Sequence, residues 1–291
     1  MPFRRPILAT LLAWLACLAP AFAAGGHALP LYAPRLSDYL PINNSMIAVW
    51  IGVGIIVLFC RAATKQMKLI PSGIQNFAEW AFESLYGFLE SLLGEHLTKR
   101  TFWFLGSIFF FILTVNYLAL VPGVGTMGWE MLDKETGEVV GFTPLLRGGN
   151  ADLNMTAAMA LTFALLWFYW AIGENGFKGF MAHIFAPKGD FKGIMLIMMV
   201  PVFLFVGVLE VISILIRPVA LSFRLFGNIY GGEQTLEKLM LLMPSKYLHF
   251  LPALPFYFVE LLVGFVQALV FTLLCAIFLK LICDHGDEEH H

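Results

Sequence analysis

Apolar sequence runs from Gly193 to Met243 with no segment polar enough to be a loop. About 45 helical residues at 1.5 Å each reach about 68 Å, against a bilayer hydrocarbon core of about 30 Å. Such a segment either splits or crosses at a steep tilt. Pro218 is the only candidate break, and no loop-forming residues accompany it. The spacing therefore predicts one long tilted helix, bent at most near Pro218.

This helix is not uniformly apolar. It carries Glu210, Ser213, Arg217, Arg224, Asn228 and Glu233. A membrane-embedded Arg costs roughly 2.5–3.5 kcal/mol on insertion scales, so it is kept where it pairs, lines water or does a job. Arg224 cannot escape by losing its proton. At about 100° per residue, Glu210, Ser213, Arg217 and Arg224 share one face, Asn228 lies one turn beyond Arg224, and Glu233 falls on roughly the opposite side. A structural Arg–Glu pair is the competing explanation for part of this pattern.

Charged residues make up 13% of the chain and hydrophobic residues 59%, with a mean hydropathy of +0.79; soluble domains carry about 25% charged residues. The composition is that of a polytopic membrane protein. A net charge of −2 with no basic patch argues against nucleic-acid binding. Cys17, Cys60, Cys275 and Cys283 show neither a disulfide framework nor zinc spacing, so no metal and no cofactor is expected.

The expected fold is all-α: about five transmembrane helices, one interfacial amphipathic helix, and strong tilt in the last two helices. Residues 1–23 read as a cleaved signal peptide, with Arg4 and Arg5 ahead of the apolar run Ile7–Ala19 and an Ala21-Phe-Ala23 site; a retained first helix is the alternative. Residues 24–283 form a single integral membrane domain. Its first span covers Met46 to about Cys60 and ends at Arg61, Lys65 and Lys68, which marks a cytoplasmic end. Ser72 to Leu97, punctuated by Glu79, Glu83, Glu90 and Glu95, reads as an amphipathic helix on the cytoplasmic surface or packed on the bundle, opened by a Ser72–Gln75 capping box. Thr101–Val121 is a clean span in which Asn116 reads as an interhelical hydrogen-bonding residue. Residues 123–150 form a periplasmic loop, with a hairpin turning at Thr136 and Gly137. Ala151–Ile172 is the next span; Asp152 at its mouth suits a helix cap and a place at a water entrance equally. A loop bearing Lys178, Lys188 and Lys192 follows. Pro244–Pro255 is a periplasmic turn, Phe256–Cys283 the final helix, and 284–291 a cytoplasmic tail. The final helix carries Glu260 and Gln267 on one face; packed antiparallel to the long helix, it brings Glu260 near Glu233 and Gln267 nearer Arg224. No internal repeat appears, which counts against most secondary transporters.

Arg224-Leu-Phe-Gly-Asn228, preceded by Arg217-Pro-Val-Ala-Leu-Ser and followed by Gly-Gly-Glu233, closely resembles subunit a of the F-type ATP synthase membrane sector. Asn76-Phe-Ala-Glu-Trp, Asn116-Tyr-Leu-Ala-Leu-Val-Pro-Gly, Ala151-Asp-Leu-Asn-Met-Thr156 and Gln267-Ala-Leu-Val-Phe occur in that family's order. The resemblance implies a proton-translocating stator subunit of the bacterial inner membrane, N-terminus periplasmic and C-terminus cytoplasmic. It would contact the c-ring subunits and the subunit b peripheral stalk within the bilayer, and the F1 sector indirectly. It implies no catalysis by this chain alone. Glu233, Glu260, Asn228, Gln267 and Asp152 then belong to a periplasmic half-channel, Glu210 and Ser213 to a cytoplasmic one, and Arg224 to the essential charge between them. An independent ion channel or secondary transporter is the alternative function; a purely structural scaffold would have no need for Arg224.

Overall fold

In a bilayer each backbone N–H and C=O must be satisfied within the chain, so apolar runs of spanning length fold as helices. The computed structural model describes residues 35–37, 40–121, 124–125, 128–132, 139–185, 194–241 and 250–283. The expected leader at 1–23 and tail at 284–291 lie outside the described residues.

In chain order, β1 (Arg35–Ser37) pairs antiparallel with β2 (Leu40–Asn43), and α1 (Asn44–Thr64) follows directly. Then come α2 (Ile74–Leu93) and α3 (Glu95–Ala119), an antiparallel pair β3 (Gly128–Leu132) and β4 (Val139–Pro144), and a 3-10 turn at Gly149–Ala151. The chain continues through α4 (Leu153–Phe185) and α5 (Ile194–Leu241) to α6 (Phe250–Cys283). Thr136 and Gly137 lie outside the described residues. Five of these helices, α1, α3, α4, α5 and α6, are long and apolar enough to cross a membrane. The protein is an all-α polytopic membrane protein with two small strand pairs.

α5 has 48 residues and runs unbroken through both Pro201 and Pro218. At 1.5 Å per residue that is about 72 Å. The 34 residues of α6 reach about 51 Å. Neither fits upright within about 30 Å of hydrocarbon.

The helices close around one core. Leu105 and Ile112 of α3, Trp167 and Trp170 of α4, Leu221 and Leu225 of α5, and Phe271 and Leu279 of α6 belong to it. Leu89 brings α2 onto the same core. α2 folds back along α3, with Phe82 and Phe110 ring centroids 4.6 Å apart and Tyr86 and Phe102 5.0 Å apart. The amphipathic helix is thus packed on the bundle. Near the N-terminal end of α3, the Trp167 indole donates to the Phe278 carbonyl at 2.9 Å and Asn175 to the Ile282 carbonyl at 2.8 Å. Arg100 and Glu174 form an ion pair that ties α3 to α4.

Four boundaries differ from the sequence-based expectation. The Ser72–Gln75 capping box is not formed: α2 begins after Gly73, whose φ of 64° turns the chain there, and the cap makes no side-chain hydrogen bond. The Gln75 amide instead clasps the Lys68 backbone, donating to its carbonyl at 3.0 Å and accepting from its N–H at 3.1 Å. The polar segment read as a loop after Ile172 is helical up to Phe185. It is kinked at Gly176, with φ 67° and ψ 163°. Past the kink Phe180 returns to Phe168, with ring centroids 5.4 Å apart. Residues 250–255, read as part of a turn, already belong to α6: Pro252 replaces a first-turn N–H that lacks an intrahelical partner anyway, and the helix runs on through Pro255.

The fourth difference matters most for the site. The end of the 123–150 loop is packed into the protein interior. Arg147 is fully buried, and Asn150, Ala151 and Asp152 are buried with it. Gly148 and Gly149 are the reason the segment fits. A Cβ on Gly148 would stand 2.8 Å from the Ala119 Cβ of α3, and one on Gly149 would stand 2.6 Å from Val49 of α1 and 3.0 Å from Val115 of α3. The segment is a wedge that only glycine can make.

Candidate functional site

α5 and α6 pack antiparallel, and three lateral contacts fix their register. The Arg217 guanidinium lies 4.9 Å above the Phe278 ring. Asn228 Nδ2 donates to Gln267 Oε1 at 2.6 Å. The Glu260 carboxyl occupies the space that a side chain at position 232 would need, since a Cβ on Gly232 would stand 2.1 Å from Oε1 and 2.4 Å from Cδ. The expected neighbourhoods follow: Glu260 beside the residue that precedes Glu233, and Gln267 one turn from Arg224.

The helical repeat splits α5 into two faces. Leu221, Leu225, Ile229, Gly232 and Leu236 are buried against the bundle. Ala220, Phe223, Arg224, Gly227, Asn228 and Gly231 are exposed. Cβ atoms built on Gly227 and Gly231 meet nothing within 4 Å, so Arg224 stands on a face lowered on one side by two missing side chains. Among the described residues Arg224 forms no hydrogen bond or ion pair. Nine helical residues separate it from Glu233, a rise of about 13.5 Å and roughly half a revolution.

The other charges on the stripe do have partners. Arg217 Nη2 reaches Glu210 Oε1 at 3.2 Å, so the pair expected as one explanation of the stripe exists, but it leaves Arg224 out. Ser213, between them in sequence, is exposed. Glu233 is half-buried, and its Oε1 would lie 2.8 Å from a Cβ on Gly148. The wedge therefore forms one wall of the Glu233 site, and Gly232 separates that carboxyl from Glu260 along the helix.

Asp152 is buried and engaged at both oxygens. Ser45 of α1 donates to Oδ2 at 2.8 Å, and the Asn154 backbone N–H donates to Oδ1 at 3.0 Å. The second contact is that of a helix cap. Asn116 donates to the Gly264 carbonyl of α6 at 3.0 Å and accepts from Asn150 Nδ2 at 2.6 Å. It is an interhelical hydrogen-bonding residue, as its sequence setting indicates, and it also holds the wedge. The Thr156 and Ser222 hydroxyls meet at 3.2 Å between α4 and α5.

Sequence reasoning overlooked Arg147 and Asn150. Their signal was faint: a lone arginine before Gly-Gly-Asn, in a loop that is otherwise mostly acidic. Arg147 Cζ lies 5.9 Å above the Tyr230 ring, and Tyr230 itself stacks on Phe226 at 5.2 Å and 14°.

Chemically, the α5–α6 contact offers two carboxyl groups that can hold or release a proton, and two amides, one exposed (Asn228) and one buried (Gln267), that can orient water but cannot titrate. Gln234 Nε2, Tyr257 OH and Gln267 Nε2 are buried without a protein hydrogen-bond partner among the described residues. Buried polar atoms of this kind are normally satisfied by water. The outer side offers a permanent positive charge.

The ATP synthase A chain family model matches residues 46–280. "ATP synthase subunit a" of Solidesulfovibrio magneticus is 33% identical over 248 residues, covering 84% of this chain and 86% of that protein. "ATP synthase subunit a" of Moorella thermoacetica is 30% identical over 235 residues, covering 81% and 88%. With the match covering the site stretch and nearly all of the five spanning helices, the chain belongs to the ATP synthase A chain family.

Proposed function

We propose that this protein is the proton-translocating stator subunit of an F-type ATP synthase. It provides two half-channels to a ring of c subunits and couples proton flow to ring rotation and ATP synthesis. It is not catalytic alone and works beside the subunit b stalk, with F1 engaged indirectly. The N-terminus, after removal of residues 1–23, faces the periplasm, and residues 284–291 face the cytoplasm of a bacterial inner membrane.

The periplasmic half-channel uses Glu233 and Glu260 as the titrating groups, with Asn228 and Gln267 positioning water between them and the ring. Asp152, engaged at both oxygens, anchors the outer mouth. Glu210 and Ser213 border the cytoplasmic exit, where Arg217 holds Glu210. Arg224 stands between the two routes. A fixed positive charge repels a leaking proton and favours the ring carboxylate only when that carboxylate is deprotonated. Each unit charge crossing is worth about 2.3 kcal/mol per 100 mV, so ATP synthesis sums several crossings.

The observation that carries this reading is Arg224 itself. It is exposed, has no partner within the described residues, and sits on a small-residue face of a helix too long to stand upright. The test is ATP-driven quenching of a pH-sensitive dye in inverted vesicles. Arg224→Ala is expected to assemble and to abolish pumping, and Arg224→Lys, which keeps the charge but loses the planar fork, to fail or nearly fail. Normal pumping by Arg224→Ala overturns the reading. Proton flux through the purified chain in liposomes without a ring favours an independent channel.

A further inference from the structure

The polar stripe that carries Glu260 extends along α6 past the residues that the half-channel reading uses. Ala253, Tyr257, Glu260, Gly264, Gln267 and Phe271 recur every three or four residues and so line one face of α6. All are buried except Tyr257, which is half-buried. Two polar atoms on this stripe are enclosed yet have no protein hydrogen-bond partner among the described residues. One is Gln267 Nε2, on one side of Glu260; the other is the Tyr257 hydroxyl, on the other side.

The place of Tyr257 explains why no side chain meets its hydroxyl. Gly232 of α5 lies against the Glu260 carboxyl. Because α5 and α6 are antiparallel, Tyr257 lies one turn beyond that contact, toward the start of α6. One turn beyond Gly232 on the same buried face of α5 stands Leu236, which has no polar group to offer. A tyrosine that anchors a helix at the membrane interface sends its hydroxyl out to the headgroups. This hydroxyl is instead shut in. An enclosed hydroxyl without a partner is costly, and a water is what normally satisfies it. Helical side chains tilt toward the helix N-terminus, so Glu260 leans over the turn that carries Tyr257. Side chains three residues apart start about 5–6 Å from each other at Cβ. One water can bridge a carboxyl and a hydroxyl so placed, and a tyrosine hydroxyl both donates and accepts.

We infer that Tyr257 is a positioning residue of the periplasmic route, whose hydroxyl holds the water that hands protons to Glu260. The inference rests on the half-channel reading and extends it outward by one turn of α6. It also orders the route: the water at Tyr257 comes first, Glu260 second, and Gln267 with Asn228 lies on the far side. The water gives one proton to the Glu260 carboxylate and takes one from the water outside it. Neither that water nor Tyr257 is changed by the transfer.

The test uses membranes containing the complete complex, with complex content measured beside ATP-driven dye quenching. Tyr257→Phe keeps the ring and removes only the hydroxyl. It is expected to assemble at the parental level and to pump about 2- to 10-fold more slowly, the scale of one hydrogen bond. Pumping at the parental rate overturns the inference. Failure to assemble also overturns it, because the hydroxyl then holds the protein together and not a water. A second measurement separates a wet site from a packing role. A thiol reacts as its thiolate, which apolar surroundings suppress. Tyr257→Cys is therefore expected to take up a small water-soluble thiol reagent, read at that position by mass spectrometry, several-fold faster than Phe258→Cys. Phe258 is the next residue and is 68% exposed on the outer side of α6. Equal labelling at the two positions overturns the inference. Glu260→Gln tells the two failures apart. If it pumps normally, the half-channel reading falls and the inference with it. If it slows pumping while Tyr257→Phe does not, the inference alone falls.

Discussion

Gly232→Ala tests the α5–α6 contact most sharply. The added Cβ would stand 2.1 Å from Glu260 Oε1, 2.4 Å from Cδ and 2.6 Å from Oε2. To reach an ordinary contact distance the carboxyl must retreat by about 1 Å or more. The obstructing atoms are the far end of a flexible side chain and not backbone, so α5 and α6 keep their packing. Overpacking in a tight interior costs about 1–3 kcal/mol, and the low end applies where a side chain can swing away. Function has less tolerance. A displacement of 1 Å in a reacting group can cost about 100-fold. The expected result is normal complex content in the membrane, with ATP-driven pumping reduced about 10- to 100-fold. A second substitution sharpens the test. Glu260→Asp shortens the obstructing side chain by one methylene, so Gly232→Ala/Glu260→Asp is expected to pump faster than Gly232→Ala alone. Gly54→Ala on α1, where a Cβ meets nothing within 4 Å, is the control. Pumping at the parental rate by Gly232→Ala would refute the assignment of Glu260 to the path. Loss of assembly that Glu260→Asp does not relieve would refute the steric argument.

Asp152→Asn keeps an oxygen for the Asn154 N–H and an amide that can bond Ser45, so it is expected to retain at least half of parental pumping. Asp152→Ala is expected to lower the thermal stability of the solubilised complex by about 1–2 kcal/mol through the lost cap; parental stability would contradict the cap. Arg217→Ala removes the pair with Glu210 and the contact with Phe278, at a cost of about 1–2 kcal/mol, yet is expected to pump within about threefold of the parent. Its complete loss of pumping would mean that Arg224 is not the only essential charge on the helix.

The long helices were legible because their signal is additive: many apolar residues in a row leave few alternatives to a helix in lipid. With the two long helices set antiparallel, polar spacing placed Glu260 near Glu233 and Gln267 nearer Arg224; the direct contacts of Gln267 with Asn228 and of Glu260 with Gly232 came from the structure. The capping box at Ser72 was misread because that motif depends on backbone geometry, and Gly73 takes a positive φ that a residue pattern does not announce. Lys178 suggested a loop and did not announce the helix that resumes after Gly176. Arg224 was visible because an arginine in an apolar run is costly. Arg147 was not, because it sits among loop residues where an arginine costs nothing until the loop is seen to fold inward.

That inward fold constrains how the protein is made. The seat of the wedge has walls from α1 and α3, synthesised before it, and from α5, synthesised after it. Asn116, which holds Asn150, also needs the Gly264 carbonyl of α6, later still. A chain interrupted before α5 therefore lacks the wall that closes over Arg147. Glu233 and Glu260 arrive on the two helices that complete that enclosure, after the buried Asp152 is already in the chain. The carboxyl groups of α5 and α6 therefore enter the fold together with the walls that enclose them, an order set by the sequence itself.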